Sequence, residues 1–213
     1  MSAHFIGLDL ETSGTEIEEG AVPIQVGMAV LVNDSTEPSL FKSNIGWRYF
    51  NGPPQRDVFP TWSDEAEGIH HLTQDTIRAA PRPSIVEGEA ARWLAIEAPD
   101  TNRAAIIPVG WNIAGFDMPF IKRYLPGLQA AMAYRSVDLN AVCMSIAQAQ
   151  LPSPLGGRWK FQTLRKIVHE VSGGQASQMY GGHELWHDAT FDALASLYAW
   201  EALIKVMQGE DPR

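Results

Sequence analysis

Three strand-like segments follow one another within the first fifty residues, with only short turns between them. His4 to Leu10 is an apolar run that ends in acids and leads into the turn residues Thr12-Ser13-Gly14-Thr15. Ala21 to Val32 reads as a second strand, turned by Asn33-Asp34-Ser35. Phe41 to Phe50 reads as a third, with Ile45, Trp47 and Tyr49 at alternate positions. Short apolar runs bounded by turn signals mark buried strands, and short connections between consecutive strands join them antiparallel.

The pattern then changes. Asn51 to Trp62 carries three prolines and reads as a loop. Ser84, with Glu87 three positions on, matches a capping box and predicts a helix whose apolar face runs through Ala91, Leu94 and Ala95. Ile106 to Trp111 is a strand candidate despite Pro108. Met118 to Leu125 reads as a helix, Ser136 to Leu139 as a short strand and Ala141 to Ala149 as a helix. Phe161, Leu164, Ile167 and Val168 fall at helical spacing, and Val171 to His183, rich in Gly, Ser and Gln, predicts a surface loop. A last helix is expected from about Asp188 to Met207, with Ala189, Ala193, Leu197 and Trp200 along one face. Strands first, then strands and helices in alternation, predict an α/β protein with a mixed sheet covered by helices.

Composition narrows the class of protein. A length of 213 residues suits one domain, and 45% hydrophobic with 19% charged residues suits a folded one. The single cysteine, Cys143, excludes an intramolecular disulfide and a cysteine-cluster metal site, and fits a reducing compartment. No apolar run approaches the roughly 18 residues of a membrane span, and Met1-Ser2-Ala3-His4 lacks signal-peptide order, so the expected location is cytoplasmic. The net charge of −9 argues against a broad basic surface for gripping long nucleic acid.

Four acids stand out from this background. Asp9 and Glu11 close the first strand at positions i and i+2, which project from the same face. Two carboxylates held that close resist joint ionisation unless a cation lies between them. The pair alone also fits a strand end that has reached water. Asp117 lies in the apolar and small-residue stretch Val109 to Ile121, where an acid is expected to be hydrogen-bonded, metal-bound or an N-cap for the helix that follows. Asp192 lies inside the last helix among Ala189, Ala193 and Ala195, small neighbours that allow another element to approach. His187 stands just before that helix.

Taken in order, Asp9-x-Glu11, Asp117 and His187-x4-Asp192 resemble the DEDD superfamily of 3′→5′ exonucleases, and in particular its histidine-bearing branch, typified by the DNA polymerase III proofreading subunit. In the tyrosine-bearing branch a tyrosine would stand where this chain has Asp188. Leu8 to Gly14 is similar to the first exonuclease motif, Ala66 to Thr73 to the segment after the third strand, and Val137-Asp138-Leu139 to the strand after the second motif. The family often has Gly where His71 stands, and Trp111 replaces a common His before Asn112. The resemblance spans about residues 5 to 205, so a single exonuclease domain over 1–213 is expected.

The resemblance implies a ribonuclease H-like fold: a three-strand antiparallel meander plus two further strands, flanked by helices. It also implies two divalent cations, Mg²⁺ or Mn²⁺, held by Asp9, Glu11, Asp117 and Asp192. An all-oxygen ligand set suits such hard ions, and a pair of them can clamp the attacking and leaving oxygens of a phosphoryl displacement. His187 would be the general base, with His183 in reserve. Leu10, Thr12, His70, Asn112 and Phe116 would meet the substrate. The implied activity is hydrolysis of single-stranded DNA or RNA from its 3′ end, releasing nucleoside 5′-monophosphates. A polymerase or another repair or processing protein is a possible partner, and no membrane is implied. The alternatives are a phosphodiesterase for very short oligonucleotides and a non-catalytic nucleic-acid-binding protein on the same fold. The acidity favours a short grip on the last few nucleotides. A longer hold would draw on Lys122-Arg123, the Arg158–Lys166 stretch or a partner.

Overall fold

The computed structural model describes residues 4–31, 37–51, 60–98, 106–183 and 185–213. The turn expected at Asn33-Asp34-Ser35 and most of the proline-rich loop lie outside them. Among the described residues one sheet of five strands forms: β1 (His4–Thr12), β2 (Pro23–Val30), β3 (Ser39–Asn44), β4 (Ile106–Gly110) and β5 (Val137–Asp138). Their order is β3-β2-β1-β4-β5. The meander is antiparallel, whereas β4 pairs parallel with both β1 and β5. This is the mixed sheet that the order of strands and helices led us to expect. Pro108 fits β4 without breaking its outer ladder, because β5 pairs only with Val109 and Gly110.

The helices are α1 (Asp64–His70), α2 (Gln74–Ala79), α3 (Pro83–Glu97), α4 (Asp117–Tyr124), α5 (Pro126–Ala131), α6 (Leu139–Gln148), α7 (Phe161–Gln178) and α8 (Ala189–Met207). No helix among the described residues is long and apolar enough to cross a membrane.

The alternation of β1 positions the site. Ile6, Leu8 and Leu10 are buried in one core with Val86, Ala90 and Leu94 of α3 and Phe120 and Ile121 of α4. Gly7, Asp9 and Glu11 project from the opposite face, where α8 lies against β1 and β2. A β-carbon on Gly7 would stand 1.9 Å from the Ala193 carbonyl oxygen, and one on Gly27 would stand 2.1 Å from that of Ala189. Glycine on the strands and alanine on the helix therefore let α8 approach the sheet backbone directly. The small residues expected around Asp192 serve that contact.

Several boundaries differ from the sequence reading. The third strand ends at Asn44, not Phe50. Ile45 N–H still reaches the Ile24 carbonyl, but Gly46 then donates to the Pro81 carbonyl at 2.6 Å and leads the chain off the sheet. Helix α3 starts at Pro83 with Arg82 as its N-cap, so Ser84 lies inside the helix and forms no capping box. Pro83 supplies the helical φ at the first position. The buried face of α3 is Val86, Ala90 and Leu94; Ala91 and Ala95 lie off it. Helix α5, begun by Pro126, was not expected.

The largest correction concerns Val171 to His183. Most of that stretch continues α7 to Gln178, and Ser172, Gly173, Ala176 and Ser177 are buried. Helices α7 and α8 pack together along these small residues. Burial outweighs the weak helix propensity of Ser and Gly.

Candidate active site

Asp9, Glu11 and Asp192 each offer a carboxylate oxygen, and these atoms lie within 4.8 Å of one another. The strand alternation of β1 supplies the first two, and the first turn of α8 supplies the third. Close approach of the helix to Gly7 and Gly27 brings Asp192 to the strand. Gly27 is also the register partner of Asp9 on β2.

Asp192 is held by the turn before α8. Its Oδ2 accepts from the backbone N–H of His187 at 3.0 Å. Its Oδ1 is buried without a hydrogen-bond partner. A buried carboxylate oxygen without a donor is costly, and here it lies among other carboxylates.

Asp117 is 3% exposed and begins α4, but it is not the N-cap; that position belongs to Phe116. Its Oδ1 instead accepts from the N–H of Leu10 at 2.9 Å. The β1–β4 pairing ends at Gly7 and Val109, so three residues farther on a side chain takes over from the ladder. Asp117 thus stands beside the three-carboxylate group without being one of the three.

The electrostatics follow from burial without compensation. Burial raises Asp9 well above the usual carboxylate range, and Asp117, Asp192 and Glu11 add to the rise. Burial, with Asp192 next, pushes Glu11 up to about 9, while Lys42 pulls the other way. Burial also lifts Asp117 and Asp192 to about 7, opposed by the hydrogen bonds from Leu10 and His187 respectively. A group of carboxylates that resist ionisation together is the donor set a divalent cation stabilises, and hard oxygen ligands match Mg²⁺ or Mn²⁺.

His187 is exposed, one turn before α8, with φ at 67°. His183 is exposed as well. His70 ends α1 and is buried; its Nδ1 accepts from Leu72 N–H at 3.0 Å. Burial lowers the His70 pKa, and the charges of His71 and His187 act in the same direction. His71 itself caps α1 in the left-handed region at φ 58°, a backbone position that favours glycine. Thr12 is buried, and its hydroxyl donates to the Gly14 carbonyl at 2.8 Å. The Leu10 side chain belongs to the core on the far face of the sheet, so only its backbone reaches toward the carboxylates. Asn112, at φ 57°, accepts from Gly115 and Phe116 N–H through its carbonyl. Phe116 packs on Phe120 with ring centroids 5.2 Å apart.

Three supporting residues escaped the sequence reading. Gln25 pairs in register with Glu11, is 2% exposed, and accepts through Oε1 from Ala189 N–H at 3.1 Å. It satisfies one of the open donors at the α8 N-terminus. A lone amide inside the apolar strand was the available signal. Asp188 caps α8 by accepting from Thr190 N–H at 3.0 Å and forms an ion pair with Lys42, the register partner of Gly27 on β3. Beyond Thr12, a groove of about 510 Å³ is lined by Ser13, Gly14, Thr61 and Trp62, with Glu16, Glu19 and Glu65 also on its wall.

With this geometry in view, the fold has clear counterparts among solved structures. Cell-death related nuclease 4 superposes with a TM-score of 0.59 at 15% identity, over 98% of this chain and 65% of that one. Exonuclease I of E. coli, in complex with a dT13 oligonucleotide, gives 0.52 at 18% identity, over 98% and 41%. A 3′-exonuclease solved for its recognition of the histone mRNA stem-loop 3′ end gives 0.52 at 13%, over 98% and 84%. The fold is that of these nucleases. The chain spans less than two thirds of the first two. No protein-family model and no curated protein matches the sequence.

Proposed function

We propose that this chain is a divalent-metal-dependent 3′→5′ exonuclease that removes nucleoside 5′-monophosphates from single-stranded DNA or RNA ends. The observation that carries the reading is the convergence of Asp9, Glu11 and Asp192, with an unpartnered buried oxygen on Asp192, on a fold shared with exonucleases. Asp117 completes the set of four acids and makes this the histidine-bearing arrangement when joined with His187. Two divalent ions bound there would neutralise the crowded carboxylates and stabilise the charge that builds up on the scissile phosphate.

The remaining steps fall to side chains. His187 accepts the proton of the attacking water, and the Asp192 hydrogen bond fixes its backbone at the rim of the carboxylate group. Because the Thr12 hydroxyl already donates to Gly14, its oxygen is left to accept a hydrogen bond from the terminal 3′-hydroxyl. His70, whose burial favours the neutral ring, bounds the same end of the site. Asn112 and Phe116, in the turn that leads into Asp117, are assigned to the terminal nucleotide, with Phe116 stacking on its base.

The acid-lined groove beyond Thr12 favours a short grip, since Glu16, Glu19 and Glu65 would repel a phosphate backbone there. This keeps a second reading alongside the first: a phosphodiesterase for very short oligonucleotides. Incubating 5′-labelled single-stranded DNA and RNA of two to twenty nucleotides with Mg²⁺, Mn²⁺ or EDTA tests both. A metal-dependent ladder shortening from the 3′ end of long strands supports the exonuclease. Cleavage of dinucleotides alone supports the second reading, and no cleavage of either overturns both.

A further inference from the structure

Trp186 immediately precedes His187, and its indole is gripped from both flanking helices. On α7 it stacks against the His169 ring with centroids 4.1 Å apart and planes 15° from parallel. On α8 it meets Phe191 edge-on at 5.0 Å. Its six-membered ring occupies a notch at Gly173, where a β-carbon would stand 2.5 Å from Cζ2. The next residue is the one whose backbone is unusual. His187 lies in a turn closed by Asp188 N–H on the Leu185 carbonyl at 3.1 Å, and it adopts φ 67°, a conformation that side-chain-bearing residues seldom hold unless their surroundings impose it.

We infer that Trp186, seated in the Gly173 notch and stacked on His169, is a positioning residue that holds the 185–188 turn so that His187 keeps its place beside Asp192. The inference rests on the reading of His187 as the base of the proposed nuclease. Three restraints converge on this turn: the indole clamp, the Asp188–Leu185 closure and the 3.0 Å bond from His187 N–H to Asp192 Oδ2. Of these three, the clamp is the one that ties the turn to α7. His169 also approaches Trp111, at 6.1 Å, so the clamp extends to the segment that leads into Asp117. The notch explains why a glycine sits mid-helix at position 173, where any side chain would displace the indole.

The test uses Gly173→Ala, Trp186→Ala and Trp186→Phe in the full chain. Alanine is the better helix former, so Gly173→Ala attacks the notch without weakening α7. Two readouts are taken: amide hydrogen exchange over residues 185–188 in the metal-free protein, and kcat, KM and Mn²⁺ affinity on a single-stranded oligonucleotide. Gly173→Ala and Trp186→Ala are expected to speed exchange at His187. They should lower kcat about ten- to hundredfold, as small misplacements of a reacting group do, with KM and Mn²⁺ affinity changed less than about twofold. Trp186→Phe, which keeps a ring to stack, should restore most of both. Unchanged exchange in Gly173→Ala would overturn the clamp. Faster exchange with unchanged kcat, or a fall in Mn²⁺ affinity that matches the fall in kcat, would overturn its positioning role. The exchange measurement needs no turnover, so a wild-type protein without nuclease activity would defeat the functional reading while the clamp is still decided.

Discussion

Gly27 of β2 lies against Ala189 of α8 so closely that a β-carbon would stand 2.1 Å from the Ala189 carbonyl oxygen. Since Gly27 faces Asp9 in register and Ala189 opens the helix that carries Asp192, this contact sets the spacing between the two acids. Gly27→Ala must push α8 off the sheet. It is expected to cost about 3 kcal/mol or more, the upper range for overpacking, and to weaken Mn²⁺ binding. Gly88→Ala on α3 is the control, because nothing lies within 4 Å of its added carbon. That change should stabilise by about 0.5–1 kcal/mol. Urea denaturation and calorimetric Mn²⁺ titration of both variants check the pair.

The crowded carboxylates also predict how stability varies with pH. Glu11 near 9 and Asp117 and Asp192 near 7 bind protons in the folded state that they release in the unfolded chain, where carboxylates titrate near 4. The folded state therefore holds more protons across this interval, and stability falls as pH rises. In EDTA the melting temperature should decline from pH 5 to pH 9, by about 2–4 °C for each kcal/mol lost. Saturating Mn²⁺ should flatten or reverse the slope, because the ion takes the place of the protons. A metal-free melting temperature that rises over this range would contradict the electrostatic picture.

The three-carboxylate group could be read before the structure, for a definite reason. Asp9 and Glu11 share a face because strand side chains alternate, and that rule needs only the neighbours in sequence. The mixed sheet was legible in the same way, from runs and turns. What failed was decided by distant contacts. Gly173 and Ser172 look like loop residues, yet α7 continues through them because α8 and Trp186 require small side chains there. Ile45 and Trp47 look like strand continuation. Instead the chain leaves the sheet at Gly46, and the Trp47 indole donates back to the Pro23 carbonyl at 2.7 Å. His71 looked like a departure from a family glycine, and the structure gives the reason glycine suits that position: its φ of 58°.

On the proposed reading, His187 separates catalysis from metal binding. His187 is exposed and bonds Asp192 through its backbone N–H, so His187→Ala leaves that hydrogen bond available. Turnover should fall about 10²- to 10⁴-fold, the usual contribution of a general base, while Mn²⁺ affinity stays within about threefold. Steady-state kinetics with parallel Mn²⁺ titration measures the split. A parallel loss of affinity would make His187 a ligand instead.

Asp192→Asn sets function against stability. The amide keeps an oxygen to accept from His187 N–H, so the turn before α8 survives, but one negative charge leaves the group formed with Asp9 and Glu11. At pH 8 in EDTA the variant should be more stable than the wild type, because a repulsive buried charge is gone. With Mn²⁺ present the order should reverse. The wild type gains the linkage energy of a bound ion, whereas the variant, its affinity reduced by more than about tenfold, gains little. Nucleotide release from 3′ ends should disappear with the affinity. Asp188→Asn offers the contrast, since that carboxylate caps α8 and pairs with Lys42 outside the three-carboxylate group. The amide keeps the cap, and loss of the Lys42 pair is offset by relief of the Asp188 charge on Glu11 and Asp192, so stability in EDTA should change by less than about 1 kcal/mol while most Mn²⁺ binding is kept. Melting temperatures of the three proteins with and without Mn²⁺ decide the assignment: an Asp192→Asn protein destabilised in EDTA, or stabilised by Mn²⁺ as strongly as the wild type, removes Asp192 from the ligand set.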